Sequence, residues 1–391
     1  MHVTIIGAGL GGLCLAQGLR QLGVSFDVFE KDEAINSRAQ GYRIRIDETG
    51  QLALEQCLSP QHYALFLRTC AVAIPPVKTV DAQLRPLEEK WVDDWRDAKA
   101  NTRSDLRVDR ALMRAVLMQG IEERVHFGKQ FSDYQECDNK QVRVCFEDGH
   151  QHTTDLLVAA DGVYSRVCQQ RFPAHHIRDT GYVCAYGKVV LNAHNRRLIA
   201  AQLRTGTSVV FEKNIAFVVD CMEFEKPVEV GAMSMPQDYV YWALIGSSHA
   251  FGIGAHADLP LSLPTLRQQL SHVTRTWSSE VQQLLELSAD TEITLTPVKA
   301  AVAPAPWLSS SICAIGDAIH VMSPASGLGA NSALYDAKEL MSALRQYPTK
   351  DLVQCVADFE EKMLAHSFSA VQSSDVGTRQ LLQAGAEEKC S

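Results

Sequence analysis

The spacing of apolar positions changes along this chain, and the changes divide it into three textures. The first is a β–α–β pattern. Val3-Thr4-Ile5-Ile6 is a short apolar run rich in β-branched residues and predicts a buried strand. Leu13, Leu15, Ala16, Leu19 and Leu22 then fall at helical spacing, and Gly23 closes that segment as a C-cap. Phe26-Asp27-Val28-Phe29 predicts a second strand, with Glu30 at its end. Gly41 to Asp47 alternates aliphatic and basic residues, placing Arg43 and Arg45 on one strand face, whether toward solvent or toward a ligand. Residues 73–101 have little periodicity and hold three prolines and two tryptophans; they read as an excursion over the surface. Residues 106–125 return to helical spacing, with Arg107, Arg110 and Arg114 near the start and the last two one turn apart. Gln141 to Asp161 reads as a hairpin turning at Asp148-Gly149, its return strand ending in an acid and a glycine.

From about Arg178 strand-like alternation takes over, at 182–191, 198–203, 208–211, 215–221 and 239–245. One helix over 263–287 and a short strand at 292–295 follow. This block predicts a mainly antiparallel sheet inserted between parts of another domain. Near Ser311 the first texture resumes. Ile312 to Ile315 is a short buried strand, Gly316-Asp317 follows, and Ala325 to Asn331 forms a second glycine-rich loop. Helices are expected over 330–345 and 350–371, and a frayed polar end over 384–391.

The chemistry enters at the first turn. Gly7, Gly9 and Gly12 occupy the three positions of a dinucleotide fingerprint. The first allows a tight strand-to-helix turn, the second lets backbone approach a pyrophosphate, and the third lets helix and strand pack closely. Phosphates then meet the free amides and positive end of the helix dipole. Glu30 accepts hydrogen bonds from both adenosine ribose hydroxyls and would repel a 2′-phosphate, so the adenosine is of the NAD or FAD kind.

The bulk numbers narrow the rest. The chain has 391 residues, 46% hydrophobic and 21% charged, with net charge −9 and no basic run, which argues against a nucleic-acid partner. Eleven cysteines contain no C-x-x-C pair, so neither a disulfide framework nor a zinc site is expected; reduced thiols and a cytoplasmic location fit better. No H-E-x-x-H occurs, His175-His176 reads as surface, and the expected metal content is none. A secretory signal is not expected, because the apolar opening lacks a basic n-region. The apolar run from Tyr239 to Ala255 is broken by polar residues and glycines, so no membrane span is expected.

Three motifs in register carry a family resemblance: the opening fingerprint with Glu30; Asp155-Leu-Leu-Val-Ala-Ala-Asp161-Gly162-Val-Tyr-Ser165-Arg-Val167; and Gly316-Asp317-Ala-Ile-His320 running on to Pro324, Gly327, Gly329 and Asn331. The chain resembles the class A FAD monooxygenases, the p-hydroxybenzoate hydroxylase-like group. It departs from them at Ala159, where the family usually has Gly, and at Cys168, where it often has Arg; both lie in the motif implicated in nicotinamide handling.

The resemblance implies an α/β fold: a Rossmann-like FAD-binding domain with an inserted antiparallel substrate sheet and C-terminal helices. The expected organisation is FAD-binding domain over 1–72, 102–177 and 297–345, surface excursion over 73–101, substrate sheet over 178–296 and C-terminal helices over 346–391. It also implies FAD as cofactor, NAD(P)H as reductant and O₂ as co-substrate. A flavin C4a-hydroperoxide would then deliver one oxygen atom, by hydroxylation or epoxidation, to a hydrophobic, aromatic or polycyclic small metabolite. Glu30 would hold the adenosine ribose, Arg110 would contact flavin, with Arg107 and Arg114 as further candidates, and Asp317 would bind the ribityl hydroxyls. Gly327, Gly329 and Ala330 would bring amides to the isoalloxazine, where a helix N-terminus favours the anionic reduced ring. Leu10, Lys31, Arg43, Asp161, Pro324 and Asn331 complete the expected cofactor-binding set.

Tyr186 and Lys188 are the candidate catalytic residues, sharing a strand face with Tyr182. Phe211, Phe217, Met233, Met235 and Tyr241 line either a pocket or a core. His320 reads as a turn stabiliser. Other chemistry on the same fold, a halogenase or a reductase, is the alternative, although the W-x-W-x-I-P signature of halogenases is absent. A non-catalytic nucleotide-binding protein is the third reading, and the presence of both glycine loops intact argues against it. A monomer or homodimer is expected.

Overall fold

The strand His2–Ile6 is the centre of a five-stranded parallel sheet whose order is 312–314, 156–159, 2–6, 25–29 and 125–126. The structure is a computed structural model that describes residues 1–35, 37, 42–72, 77–87, 103–225, 228–231, 233–254, 259 and 261–383. Val3, Ile5, Leu157 and Val158 are fully buried, as both-sided coverage of a parallel sheet requires. Because all five strands run the same way, their C-terminal ends share one edge. Gly7, Asp161 and Asp317 all follow directly from that edge, although they lie far apart in the sequence. The helix Leu10–Leu22 covers one face and packs against the helix Gly329–Leu344. A Cβ on Gly18 would come within 2.8 Å of the Met341 sulfur, so the glycine sets how closely these helices approach.

A second sheet has six strands in the order 294–301, 177–190, 239–247, 215–222, 207–212 and 77–81. It is antiparallel except where Val77–Asp81 joins Thr207–Glu212 in parallel. One face packs on two helices through Phe217, Trp242, Trp277 and Leu284. Gly187 makes room for Trp242, whose ring a Cβ would approach to 2.6 Å, and the indole N–H donates to Ser288 Oγ at 2.7 Å. The opposite face looks toward the nucleotide half. A two-stranded ribbon, Arg43–Ile46 with Leu106–Asp109, bridges the halves. Phe131–Glu136, Val142–Phe146 and Gln151–Thr154 form a separate small sheet.

The expected elements differ from these in several places. The helix expected from residue 106 begins at Arg110, because Asp109 caps it by accepting from the Leu112 N–H at 3.0 Å, and residues 106–109 pair as a strand. The helix expected over 263–287 is two, Leu263–Thr274 and Ser279–Glu286. Ser278 restarts it, its N–H held by the Ala82 carbonyl and its hydroxyl capping Val281. The hairpin turns at Asp148-Gly149 as expected, but its return strand divides: 151–154 closes the hairpin and 156–159 joins the parallel sheet. Residues 198–203 are helical turns rather than a strand, and the strand expected at 292–295 runs from Thr294 to Ala301. The last helix extends from Leu352 to Gln383. Of the expected excursion, 77–87 is described and contributes the edge strand Val77–Asp81; Gly41 and the expected frayed end, 384–391, lie outside the described residues. Among the described residues no helix is long and apolar enough to cross a membrane.

A buried ion pair ties the second glycine loop to the C-terminal helices. His320 Nε2 lies 2.5 Å from Asp336 Oδ2, both side chains fully buried. Asp336 also accepts from the Gly316 N–H at 2.9 Å and from Ser367 Oγ at 3.3 Å. Burial pushes the His320 pKa down, but the Asp336 carboxylate and its hydrogen bond more than offset this, and the value is raised. The stabilisation is therefore fully present below about pH 6.5 and is lost as pH rises through the raised folded value. Asp336→Ala is expected to lower the unfolding free energy by about 3–5 kcal/mol, because a buried partner is left uncompensated. In chemical denaturation, the gap between wild type and Asp336→Asn should narrow as pH rises above about 6.5; a gap independent of pH would show that the pair is not ionised.

Candidate active site

The first glycine loop meets three different steric demands. Gly7 has φ +112°, and a Cβ there would sit 2.2 Å from the Ala160 carbonyl oxygen. A Cβ on Gly12 would sit 2.2 Å from the carbonyl oxygen of Gly7. Gly9, the extended N-cap of the helix, would have nothing within 4 Å. Bare backbone therefore faces open space at a helix N-terminus, and Leu10 is buried at its first position. Glu30 is held in place by two amides: Oε2 accepts from Ala8 N–H at 2.8 Å and Oε1 from Asp32 N–H at 3.0 Å. Arg114 braces the same turn, donating to the carbonyls of Ala8 at 3.1 Å and Ile35 at 2.9 Å. Lys31 is exposed just beyond.

The second loop stands on the neighbouring strand ends. Asp317 follows Gly316, whose φ is +63°, and its carboxyl opens into the cleft while protein surrounds it on the other sides. That enclosure raises its pKa, with His320 and Arg110 pulling the other way, so Arg110 and Asp317 lie within electrostatic reach of each other. A Cβ on Gly329 would lie 3.9 Å from Asp317 Oδ1. Pro324 opens a 3₁₀ turn that Gly327 ends at φ +66°, and Gly329 and Ala330 begin the long helix. Asn331 is a tether: its Oδ1 accepts from Asp47 N–H at 3.1 Å, and its Nδ2 donates to the carbonyls of Arg45 at 3.0 Å and Gly327 at 2.9 Å. Asp161 Oδ2 accepts from the Arg166 N–H at 3.0 Å, at the start of a short helix that Ser165 caps, and burial raises the Asp161 pKa.

The sheet closes the other side. Tyr182, Tyr186 and Lys188 share one face, as expected. Lys188 Nζ lies 3.4 Å from Glu292 Oε2, 4.5 Å from the Tyr42 ring centre and 5.5 Å from that of Tyr239. Tyr186 meets Tyr42 edge-on at 6.2 Å. Tyr182 diverges, lining a separate polar cavity of about 290 Å³ with Arg178, Ser323 and Asp375. Phe211 and Tyr241 lie on the cleft-facing side, Phe217 is in the core behind it, and Met233 and Met235 pack on the nucleotide half. Burial raises the pKa of Tyr42, Tyr239 and Tyr241, with Glu292 adding to it at Tyr42 and Asp109 at Tyr239. All three phenols stay protonated at neutral pH; Tyr42 Oη donates to the Glu292 carbonyl at 3.0 Å and Tyr239 Oη to Asp109 Oδ2 at 2.9 Å.

Sequence reading missed Asp220. It is fully buried and 2.8 Å from both Arg43 and Arg107, which gives Arg43 a partner that neither expected orientation anticipated. The signal was present: an acid inside the otherwise apolar strand Ile215–Met222.

Open space at Gly9, carboxylates at Glu30 and Asp317 and a helix N-terminus at each loop fit an extended dinucleotide. The comparisons agree. A family model described as "FAD binding domain" matches residues 1–351. The dual O-methyltransferase/FAD-dependent monooxygenase CTB3 of Cercospora beticola is 31% identical over 400 residues, covering 97% of this chain; the chain spans only 46% of that protein. The FAD-dependent monooxygenase thnD of Trichoderma harzianum is 29% identical over 396 residues, covering 96% of this chain and 92% of that one. In structure, Klebsiella pneumoniae HpxO, complexed with FAD and uric acid, superposes with TM-score 0.77 at 21% identity, covering 99% of this chain and 92% of that one.

Gly9 and Gly12 separate fold from ligand. Gly12→Ala is expected to destabilise the protein by several kcal/mol, on the order of other overpacked backbone contacts, because the Gly7 carbonyl cannot move freely. Gly9→Val should leave the thermal midpoint of flavin-free protein unchanged within a few degrees while weakening FAD binding at least tenfold. FAD titration followed by fluorescence quenching checks the second; equal FAD affinity in Gly9→Val would place the pyrophosphate elsewhere.

Proposed function

The chain belongs to the FAD binding domain family, and on that premise we propose that it is a flavin monooxygenase. In this reading it uses NAD(P)H and O₂ to insert one oxygen atom into a hydrophobic small molecule, aromatic or polycyclic in character. One observation carries the proposal. Tyr186, Val218 and Tyr241 form a partly open wall on the sheet face, beside Val209, Phe211, Ala243 and Ile245, which are buried with Leu381 and Leu382 of the last helix, and Ala325 of the second glycine loop packs in the same cluster. A substrate on that wall would lie beside the loop proposed to hold the flavin ring. The names of relatives as FAD-dependent monooxygenases support the activity.

FAD, when bound, supplies hydride acceptance and oxygen activation. The chain's part is binding, orientation and exclusion of water. Glu30, already fixed by two amides, would accept from the adenosine ribose, and the Gly9 backbone would admit the pyrophosphate. Asp317 would accept from the ribityl hydroxyls, and the amides of Gly327 to Ala330 would face the ring. On the substrate side, the protonated phenols of Tyr42, Tyr239 and Tyr241 offer no base. Lys188 is engaged by Glu292 and by two aromatic faces, a positioning role between ribbon and sheet. An apolar wall edged by protonated phenols fits a substrate whose oxidation needs orientation more than proton transfer.

The test uses purified protein reconstituted with FAD, NADH or NADPH, and a panel of apolar aromatics under ¹⁸O₂. Oxidation of the nicotinamide should rise at least tenfold with a fitting substrate, and the product should gain one labelled oxygen. Bound flavin with no oxygen transferred to any member, together with reduction of an activated alkene, would favour the reductase alternative. Val218, partly exposed on the same sheet face, offers a steric probe. Val218→Phe should keep flavin content and lower substrate-stimulated turnover at least tenfold; undiminished turnover on bulky substrates would remove the wall from the binding surface.

A further inference from the structure

On the face of the parallel sheet turned away from the helix Leu10–Leu22, four side chains converge that the proposed activity does not use. Ile5 points at Gly12 of that helix, so His2, one strand face over, points the other way. There it meets Asp27 of the neighbouring strand and His152 of the small three-stranded sheet. His2 Nε2 lies 3.0 Å from His152 Nε2 and 3.3 Å from Asp27 Oδ2, and the latter two atoms are 4.0 Å apart. The point equidistant from the corners of such a triangle is about 2.0 Å from each, which matches zinc–nitrogen and zinc–carboxylate bond lengths. From these atoms we infer that His2, Asp27 and His152 form a binding site for a divalent transition-metal ion of the zinc class.

Two further contacts favour a cation over a chance cluster. The other ring nitrogen of His2, Nδ1, lies 2.9 Å from Ser25 Oγ. Donation from Nδ1 to that hydroxyl leaves the Nε2 lone pair aimed at the centre, the orienting arrangement typical of metal-bound histidine. His126 Nε2 lies 2.7 Å from Asp27 Oδ1 and engages one carboxylate oxygen, while the other faces the two imidazoles. The four polar groups are anchored on strands of two sheets, with Ser25 in register beside His2, so the triangle is preformed. The three ligand side chains are 12–24% exposed, which leaves a side open for water as fourth ligand. Two imidazoles and one carboxylate suit zinc, and with tighter binding copper, by the ordinary affinity series. The site is remote from the dinucleotide cleft in kind: it uses strand faces, whereas the cleft uses strand ends. Its ion would staple the small sheet to the parallel one.

The experiment uses tag-free, flavin-loaded protein, stripped with chelator and titrated with Zn²⁺ against a chromophoric competitor. Wild type is expected to take up one equivalent at micromolar or lower free Zn²⁺. His152→Asn and Asp27→Asn should each weaken that binding at least a hundredfold, Ser25→Ala about 10–100-fold, and His150→Asn, outside the triangle, not at all. An unchanged flavin spectrum in each variant certifies the fold. Failure of wild type to retain an equivalent, or retention with equal affinity in His152→Asn and Asp27→Asn, would overturn the assignment in favour of a proton-shared histidine cluster.

Discussion

The parallel ladder joining residues 2–6, 156–159 and 312–314 is the constraint on which the molecule depends. Each strand is short, and its identity is set by burial on both faces: Val3, Ile5, Leu157, Val158, Ile312 and Cys313 have no solvent exposure. Their common direction matters more than their chemistry. It delivers a glycine turn, an acid and a second acid to one edge, where three backbone bonds lock the junctions: Gly7 N–H to Phe29, Ala160 N–H to Ile6 and Ile315 N–H to Ala159. Ligands of open α/β sheets collect at such an edge because helix N-termini and unpaired amides are already there.

The second half of the molecule is positioned by buried charge rather than by the ladder. Arg43 and Arg107 lie on the two strands of the bridging ribbon, and both reach Asp220 in the far sheet. Such a cluster contributes little net stability, because desolvation offsets much of the attraction. It is unforgiving of misplacement, however, since an unpaired charge there costs several kcal/mol, on the order of the whole margin of a domain. The ribbon therefore sets the spacing of the cleft. Tyr42 and Arg110 sit at its ends, linked by the Arg110 N–H to the Tyr42 carbonyl at 2.8 Å.

Local signals in the sequence were strong where backbone geometry admits few residues. Gly7, Gly9 and Gly12 have the three distinct surroundings their spacing implies, and the expected β–α–β opening is present. Signals were weak where a side chain overrides periodicity. Asp109 and Ser278 each break an apolar pattern by capping a helix, and neither cap is visible in hydrophobic spacing. Tertiary partners were least legible. Asp220 is a single acid in an apolar strand, and its two arginines lie more than a hundred positions away. His2, Asp27 and His152 carry no motif because they belong to three strands, so cysteine spacing and short histidine signatures say nothing about them.

The position of residues 312–314 in that ladder also bears on how the chain is made. During synthesis, residues 156–159 emerge with only one neighbouring strand available, and the partner on their other side is roughly 150 residues away. At about 5–20 residues per second that edge stays uncovered for on the order of 10–30 s. A short, wholly apolar edge with unsatisfied amides is a template for pairing with other chains. The insertion that supplies most of the six-stranded sheet thus delays completion of the nucleotide half, and the loop bearing Asp317 cannot take its place until the last described strand has been made.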